Sequence, residues 1–116
     1  MGRLLIAFLV IATACAAAQS SKTHGPDCSG GWPTNMAQGA LKNAGILDNN
    51  EIDFTKTKTT RLASEKRGND LWHQVYFVTF FKRSGDKIQA VVVHDASVEE
   101  CSMTGVDVYV VSRVME

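Results

Sequence analysis

Residues 71–82 (LWHQVYFVTFFK) combine strand-forming side chains with apolar residues at both odd and even positions. A strand that turns one face to water alternates apolar and polar side chains, so this segment needs cover on both faces. Turn-forming sequences bound it at 66–70 (KRGND) and 83–86 (RSGD). The chain must therefore build a sheet around 71–82 and find other residues to cover it.

Three other segments, 55–65, 87–94 and 105–113, have the period of two that is typical of strands. One segment, 34–44, has a helical period. Pro33 suits its first turn, and Gly45 suits its C-terminal cap. The apolar stripe of this helix comprises Met36, Ala37, Ala40, Leu41 and Ala44. The predicted fold class is α+β, with one N-terminal helix packed on a four-stranded antiparallel meander sheet in the order α-β-β-β-β.

This order of elements is similar to the outline of cystatin-like and NTF2-like rolls, in which a curved sheet wraps one helix. The resemblance implies a fold and no activity. Cystatin-type inhibitors insert a Gln-x-Val-x-Gly hairpin into their target protease. Here Gln74 and Val75 stand in the middle of a strand, without the glycine or the turn. Protease inhibition of that kind therefore does not follow.

The first 18 residues have the composition of a signal peptide. Arg3 supplies the positive charge, and residues 4–12 form an apolar run much shorter than the roughly 20 residues that cross a bilayer. Residues 16–18 (AAA) fit the cleavage pattern, which predicts an exported chain with a single domain over 19–116. Cys15 follows two small residues, so lipid attachment at this cysteine is an alternative processing route.

Cleavage after residue 18 leaves two cysteines, Cys28 and Cys101. In an exported chain, such a pair most simply forms one disulfide. The disulfide would attach a polar N-terminal arm, residues 19–31, to the loop at 95–104. The chain-entropy argument assigns a disulfide that closes so long a loop roughly 4–5 kcal/mol of stability.

Composition and motifs argue against several functional classes. The chain has 12 basic and 12 acidic side chains, so it lacks the basic excess that nucleic-acid binding by charge requires. His73, His94, Asp95 and Cys101 could approach one another at one end of the sheet, with the two histidines on one face. Their spacing matches no zinc signature, and the cysteine is expected to be oxidised. We predict no catalytic residues, no metal ligands and no cofactor.

The predicted helix is too small for the predicted sheet. Eleven helical residues make a rod of about 16 by 10 Å, whereas four strands make a sheet of roughly 19 by 28 Å. We expect the aliphatic face to contact the helix and the aromatic face to bind a partner. The predicted partner-binding residues are Trp72, Tyr76, Phe80 and Tyr109, together with Glu99 and Glu100 in the 95–104 loop. The alternative is that residues 19–31 and 46–54 cover the aromatic side chains.

The sequence thus predicts an exported, non-catalytic binding protein of the periplasm or cell exterior. Its partner would be a protein. The most specific version of this prediction is an inhibitor or immunity protein for a cell-envelope hydrolase. One alternative is a roll that binds a small ligand, with or without catalysis, in a pocket between helix and sheet lined by His73. Another is a homodimeric envelope protein that joins through its apolar face.

Overall fold

The computed structural model describes residues 24–111. The predicted signal peptide, Cys15 and residues 19–23 of the predicted arm lie outside the described residues, as do residues 112–116. The described chain has an α+β fold, as predicted. Its elements are α1 (Trp32–Asn43), β1 (Lys58–Gly68), β2 (Leu71–Phe81), β3 (Lys87–Ala96) and β4 (Asp107–Val111).

The four strands form one antiparallel sheet in the order β1-β2-β3-β4, so each strand pairs with its neighbour in sequence. β1 and β2 are separated by only Asn69 and Asp70, and Asp70 adopts a positive φ of 53°. Tight hairpin turns favour Asn and Asp because these residues tolerate the left-handed conformation. β1 therefore continues to residue 68, three residues beyond its predicted end.

Helix α1 begins two residues before the predicted start and ends one residue before the predicted end. Its C-terminus is a Schellman motif: the Ile46 N–H donates to the Leu41 carbonyl, and the Gly45 N–H donates to the Lys42 carbonyl. Gly45 has the positive φ (72°) that this motif requires. The side chain that then enters the core is Leu47, while Ile46 is exposed.

β1 begins at Lys58 and not at residue 55, because the preceding residues form a 3-10 turn at Phe54–Lys56. The Asp53 carboxylate accepts hydrogen bonds from the Thr55 N–H (3.1 Å) and hydroxyl (2.6 Å). These hydrogen bonds hold the pKa of Asp53 below its ordinary value. Short polar side chains compete in this way with ladder hydrogen bonding.

The prediction that Trp72, Tyr76 and Phe80 form an uncovered face is wrong. Trp72 is 5 % exposed, and Tyr76 and Phe80 are 0 % exposed. Helix α1 packs over β2 and β3 on this side of the sheet, where Ala37 and Leu41 join the core around the two buried rings. The chain's own segments thus cover these side chains, as in the alternative prediction, but the described residues of 19–31 and 46–54 share this role with the helix, which we expected on the other face.

Strand register explains the error. Tyr76 pairs with Val92, whereas Phe77 pairs with Val91, and residues directly opposite each other share a face. Tyr109 pairs with Val91 in turn. The predicted aromatic set therefore mixed two faces, because alternation within one strand does not show how neighbouring strands align.

The N-terminal arm covers the part of the buried face that the helix does not reach. Its carbonyl groups accept hydrogen bonds from polar side chains of β1 and β2: Ser64 Oγ to His24 O (2.6 Å), Gln74 Nε2 to Pro26 O (2.7 Å), and Arg61 Nη1 to Pro26 O (2.9 Å). Gly25 (φ 73°) lies so close to the Trp72 ring that an added Cβ would stand 2.6 Å from the ring. The arm is thus an integral part of the core.

A buried hydroxyl connects the arm to the sheet interior. The Tyr76 hydroxyl accepts a hydrogen bond from the Cys28 N–H (2.8 Å) and donates to Gln74 Oε1 (2.7 Å). Burial raises the pKa of Tyr76, so the hydroxyl keeps its proton. Cys28 and Cys101 form a disulfide, as predicted, which ties the arm to the loop after β3.

Candidate binding face

The sheet has a second face that neither the helix nor the arm covers, and we call it the open face. In the register of the strands it consists of Lys58, Thr60, Ala63 and Glu65 of β1; Leu71, His73, Val75, Phe77, Thr79 and Phe81 of β2; Lys87, Gln89, Val91, Val93 and Asp95 of β3; and Asp107, Tyr109 and Val111 of β4.

Apolar side chains occupy the centre of the open face. Phe77, Val91 and Tyr109 form one row across β2, β3 and β4, and Val75 and Val93 lie opposite each other in the next row. The valines and Phe77 are half-buried by their neighbours, and Tyr109 is 59 % exposed. Contiguous apolar patches of a few hundred Å² on a small protein mark interaction surfaces.

The two ends of the open face carry opposite charges. Glu65, Asp95 and Asp107 lie at the end reached by the last residues of β1 and β3. Lys58 and Lys87 lie at the other end. The open face thus has an apolar centre between an acidic end and a basic end.

His73 and Asp95 face each other in the acidic row of the open face. His73 Nδ1 lies 2.6 Å from Asp95 Oδ1, and both side chains are partly exposed. A carboxylate at Nδ1 fixes the orientation of an imidazole ring, which is one requirement of a general base. Among residues 24–111, no serine, threonine or cysteine side chain forms a hydrogen bond to the imidazole of His73 or the carboxylate of Asp95; the Thr104 hydroxyl accepts one from the Asp95 backbone N–H (2.9 Å).

The prediction that His73 and His94 share a face is wrong, because His94 pairs with Gln74 on the covered side of the sheet. His94 is 2 % exposed, and neither ring nitrogen has a hydrogen-bond partner. Burial lowers the pKa of His94, and the nearby backbone of Cys101 and carboxylate of Asp95 offset only part of that effect. His94 therefore lies in the core as a neutral ring, 5.5 Å from the Tyr76 ring.

Glu99 and Glu100 lie at the acidic end of the sheet. The loop that carries them is held by the Val98 N–H, which donates to Asp70 Oδ1 (2.9 Å), and by a hydrogen bond from the Ser97 N–H to the Glu100 carbonyl (2.8 Å). Both glutamates are exposed. The loop therefore extends the negative charge of the acidic end.

A groove of about 400 Å³ lies between the first turns of α1, the start of β1 and the turn at Phe54–Lys56. Its lining is uncharged and includes Thr34, Asn35, Gln38, Thr57 and the exposed ring of Phe54. The buried hydroxyl of Thr57 has no hydrogen-bond partner. His73 lies on the open face and does not line this groove, contrary to the ligand-binding alternative.

Two further findings concern metals and membranes. Among residues 24–111, no three His, Cys, Asp or Glu side chains converge in a way that could hold a metal ion. In the same part of the chain, no helix has the length and hydropathy needed to cross a bilayer.

Comparison of the chain with protein-family models, with curated proteins and with solved structures finds no match. The chain is therefore described by its architecture, in which a helix and an arm cover one face of a four-stranded sheet and the second face has an apolar centre.

Of the predicted partner-binding residues, only Tyr109 lies on the open face, and Glu99 and Glu100 adjoin one end of it. Sequence reasoning missed Val75 and Phe77, because alternation along 71–82 places them opposite Trp72 and Tyr76, on the face that we expected the helix to cover. The signal that could have found them is the placement of Gln74 in mid-strand. A buried glutamine needs polar partners, and the arm supplies backbone carbonyls for it.

Proposed function

We propose that the chain is a small, exported, non-catalytic binding protein and that the open face is its protein-binding surface. The observation that carries the proposal is the block of Val75, Phe77, Val91, Val93 and Tyr109 on the side of the sheet opposite the helix and the arm; Tyr109 is 59 % exposed, and the other four are partly exposed. Such a surface gains free energy when a second protein excludes water from it, and aromatic rings give the largest contributions.

Export is supported by two features. The first 18 residues have the composition of a signal peptide, and the disulfide is of the kind that persists in oxidising compartments. We place the protein in the periplasm or outside the cell.

The non-catalytic part of the proposal is supported by the surroundings of His73. Its partner Asp95 orients the ring, but no nucleophile or second base among residues 24–111 completes a catalytic set. The pair contributes charge and a hydrogen bond at the end of the open face. His73→Gln is therefore expected to leave partner binding in place.

The experiment compares two adjacent residues of β4 that point to opposite faces. Tyr109 lies on the open face, and Val110 lies on the other face; both are exposed. Immobilised wild-type protein and the variants Tyr109→Asp and Val110→Asp are incubated with a cell-envelope extract, and the retained proteins are identified by mass spectrometry. We expect a protein that binds wild type and Val110→Asp but not Tyr109→Asp. If all three baits retain the same proteins, the open face is not the binding surface.

The narrower form of the proposal is an inhibitor or immunity protein for a cell-envelope hydrolase. It is supported by the exposed acidic loop at Glu99 and Glu100, which fits a partner with a basic rim. Addition of the purified protein to an envelope extract should then reduce the rate of cell-wall lysis. Glu99→Lys with Glu100→Lys should restore that rate, and an unchanged rate with wild-type protein would contradict this form.

A second candidate function is the binding of a small neutral ligand in the groove beside α1. The groove favours it because hydroxyl and amide side chains adjoin an exposed aromatic ring, which suits a polar uncharged molecule such as a saccharide. Titration of neutral saccharides with an NMR readout should move the Asn35 and Gln38 side-chain amides. Signals that stay fixed at millimolar saccharide would exclude this candidate.

A further inference from the structure

We infer that the protein which occupies the open face is a second copy of this chain, bound face to face about a two-fold axis. The inference rests on the proposed function, because it names the partner of the same surface. Two features support it: the distribution of charge on the open face and the area of that face.

The distribution of charge selects one arrangement of two copies. Face-to-face sheets related by a two-fold axis along the strands would bring acidic end against acidic end. An axis across the strands, along the row Phe77–Val91–Tyr109, reverses the strand direction and brings acidic end against basic end. In that arrangement Lys87 of one copy faces Asp95 of the other, because the two residues are equally far from Val91 along β3. The face is therefore complementary to itself, as a two-fold interface requires.

The same axis places the apolar central row of one copy against the same row of the other. Phe77, Val91 and Tyr109 lie on the axis and meet their own copies. In the flanking rows Val75 meets Thr79, which is 8 % exposed, Val93 meets Gln89, and Asp107 meets Val111. Packed sheets lie about 10 Å apart with their strands about 30° from alignment, so the side chains of both faces can interdigitate. Two tyrosines at the edge of such an interface also place their hydroxyl groups near water.

The area predicts a weak dimer. Four strands at about 4.8 Å spacing, over the eight residue steps from His73 to Phe81, give a face of at most roughly 19 by 27 Å, or about 500 Å², because β4 has only 5 residues. Two such faces remove at most about 1,000 Å² from water, which is the lower limit for a specific interface. We therefore expect a dissociation constant in the micromolar range, with monomer and dimer in equilibrium.

The inference is tested by sedimentation velocity at about 1 to 200 µM protein. This range brackets micromolar association. Wild-type protein should convert from monomer to dimer within this range. Tyr109→Asp places two like charges on the axis and should raise the dissociation constant at least about tenfold. Val110→Asp, the matched control on the other face of the same strand, should leave it unchanged.

A charge exchange tests the orientation of the two copies. Lys87→Glu and Asp95→Lys should each weaken the dimer severalfold, because each places like charges together across the axis. The double variant should recover most of the wild-type affinity. Lys42→Glu, at an exposed position on the helix side, should have no effect. Circular dichroism at low concentration checks that each variant is folded.

The outcomes separate this inference from the proposed function. Wild-type protein that stays monomeric at 200 µM, or a dimer insensitive to Tyr109→Asp, overturns the second copy as occupant. If the monomer still retains a different envelope protein through Tyr109, the proposed function stands and only the identity of the partner is wrong. If Tyr109→Asp changes neither self-association nor retention, both fail.

Discussion

Replacement of Tyr76 by phenylalanine tests how much the hydrogen bonds of the Tyr76 hydroxyl stabilise the packing of the arm on the sheet. The ring stays, so packing is nearly conserved, but the hydroxyl that bridges the Cys28 N–H and Gln74 Oε1 is lost. Each of these two groups is then buried without a partner, at about 1–3 kcal/mol each. We expect Tyr76→Phe to lower the free energy of unfolding by about 2–6 kcal/mol, a large part of the about 5–15 kcal/mol typical of a domain.

The chain contains only two tyrosines, and the second provides the control. Tyr109 is exposed on the open face, so Tyr109→Phe should change the stability by less than about 0.5 kcal/mol. Urea denaturation is followed by circular dichroism, with the disulfide intact and at low protein concentration so that association does not contribute. For a slope of about 1.5 kcal/mol per molar urea, the midpoint of Tyr76→Phe falls by roughly 1.3–4 M. Equal midpoints for the two variants would refute this prediction. Water would then form the hydrogen bonds that the hydroxyl had formed, and the arm would not exclude water from the core.

Three further predictions concern the covered side of the sheet. Gly25→Ala adds a Cβ at a positive φ and 2.6 Å from the Trp72 ring, so it should lower the free energy of unfolding by about 2–4 kcal/mol, as measured by urea denaturation. Gly30→Ala is the control, because its added Cβ meets no atom within 4 Å, and it should lower the free energy of unfolding much less. Reduction of the disulfide, which joins residues 73 apart in sequence, should lower the unfolding free energy by about 4 kcal/mol, and a melting temperature unaffected by reductant would contradict this. Because burial lowers the pKa of His94, the unfolded state binds a proton more readily, so stability should fall as the pH drops below about 6.5 and level off below the lowered pKa. His94→Phe should remove that part of the pH dependence, and an unchanged pH profile would show that His94 does not cause it.

Local sequence was sufficient to predict the elements and their order. The helix is defined by its apolar stripe, by Pro33 and by Gly45, all of which act within a few residues. The strand ends were less predictable because they depend on hydrogen bonds that one segment makes with another. Residues 51–53 lie beside the end of β2, where the Asp53 N–H donates to the Phe81 carbonyl (2.8 Å), and no pattern within 55–65 contains that information.

The choice of covered face could not be predicted from alternation alone. Both faces of β2 are apolar, and a shift of register by one residue exchanges the faces of a neighbouring strand. The deciding interactions are polar and long-range: Gln74 and Ser64 bind arm carbonyls that lie 48 and 40 residues away in sequence. The disulfide was predictable from the signal-peptide composition of the first 18 residues and the number of cysteines that follow. The position of the arm over Trp72 was not, because it depends on the direction in which the chain leaves Cys28.

The helix is too small to cover both faces of the sheet, but the face that stays open is the one that we expected the helix to cover. One helix of 12 residues and a short arm cover one side of the sheet, and the other side of the described sheet stays open. On the covered side, packing dictates the side chains. On the open side, a polar β-former such as threonine would maintain the strands equally well.

β1 shows that the chain does use polar residues on the open face. Its positions there include Lys58, Thr60 and Glu65, as expected for an edge strand that must not pair with other chains. The change to valine and phenylalanine occurs at β2 and continues to Tyr109 in β4. Strand propensity alone would apply equally to β1, so it does not explain a boundary between the two strands. A second protein that covers β2 to β4 and leaves β1 at its rim does explain it.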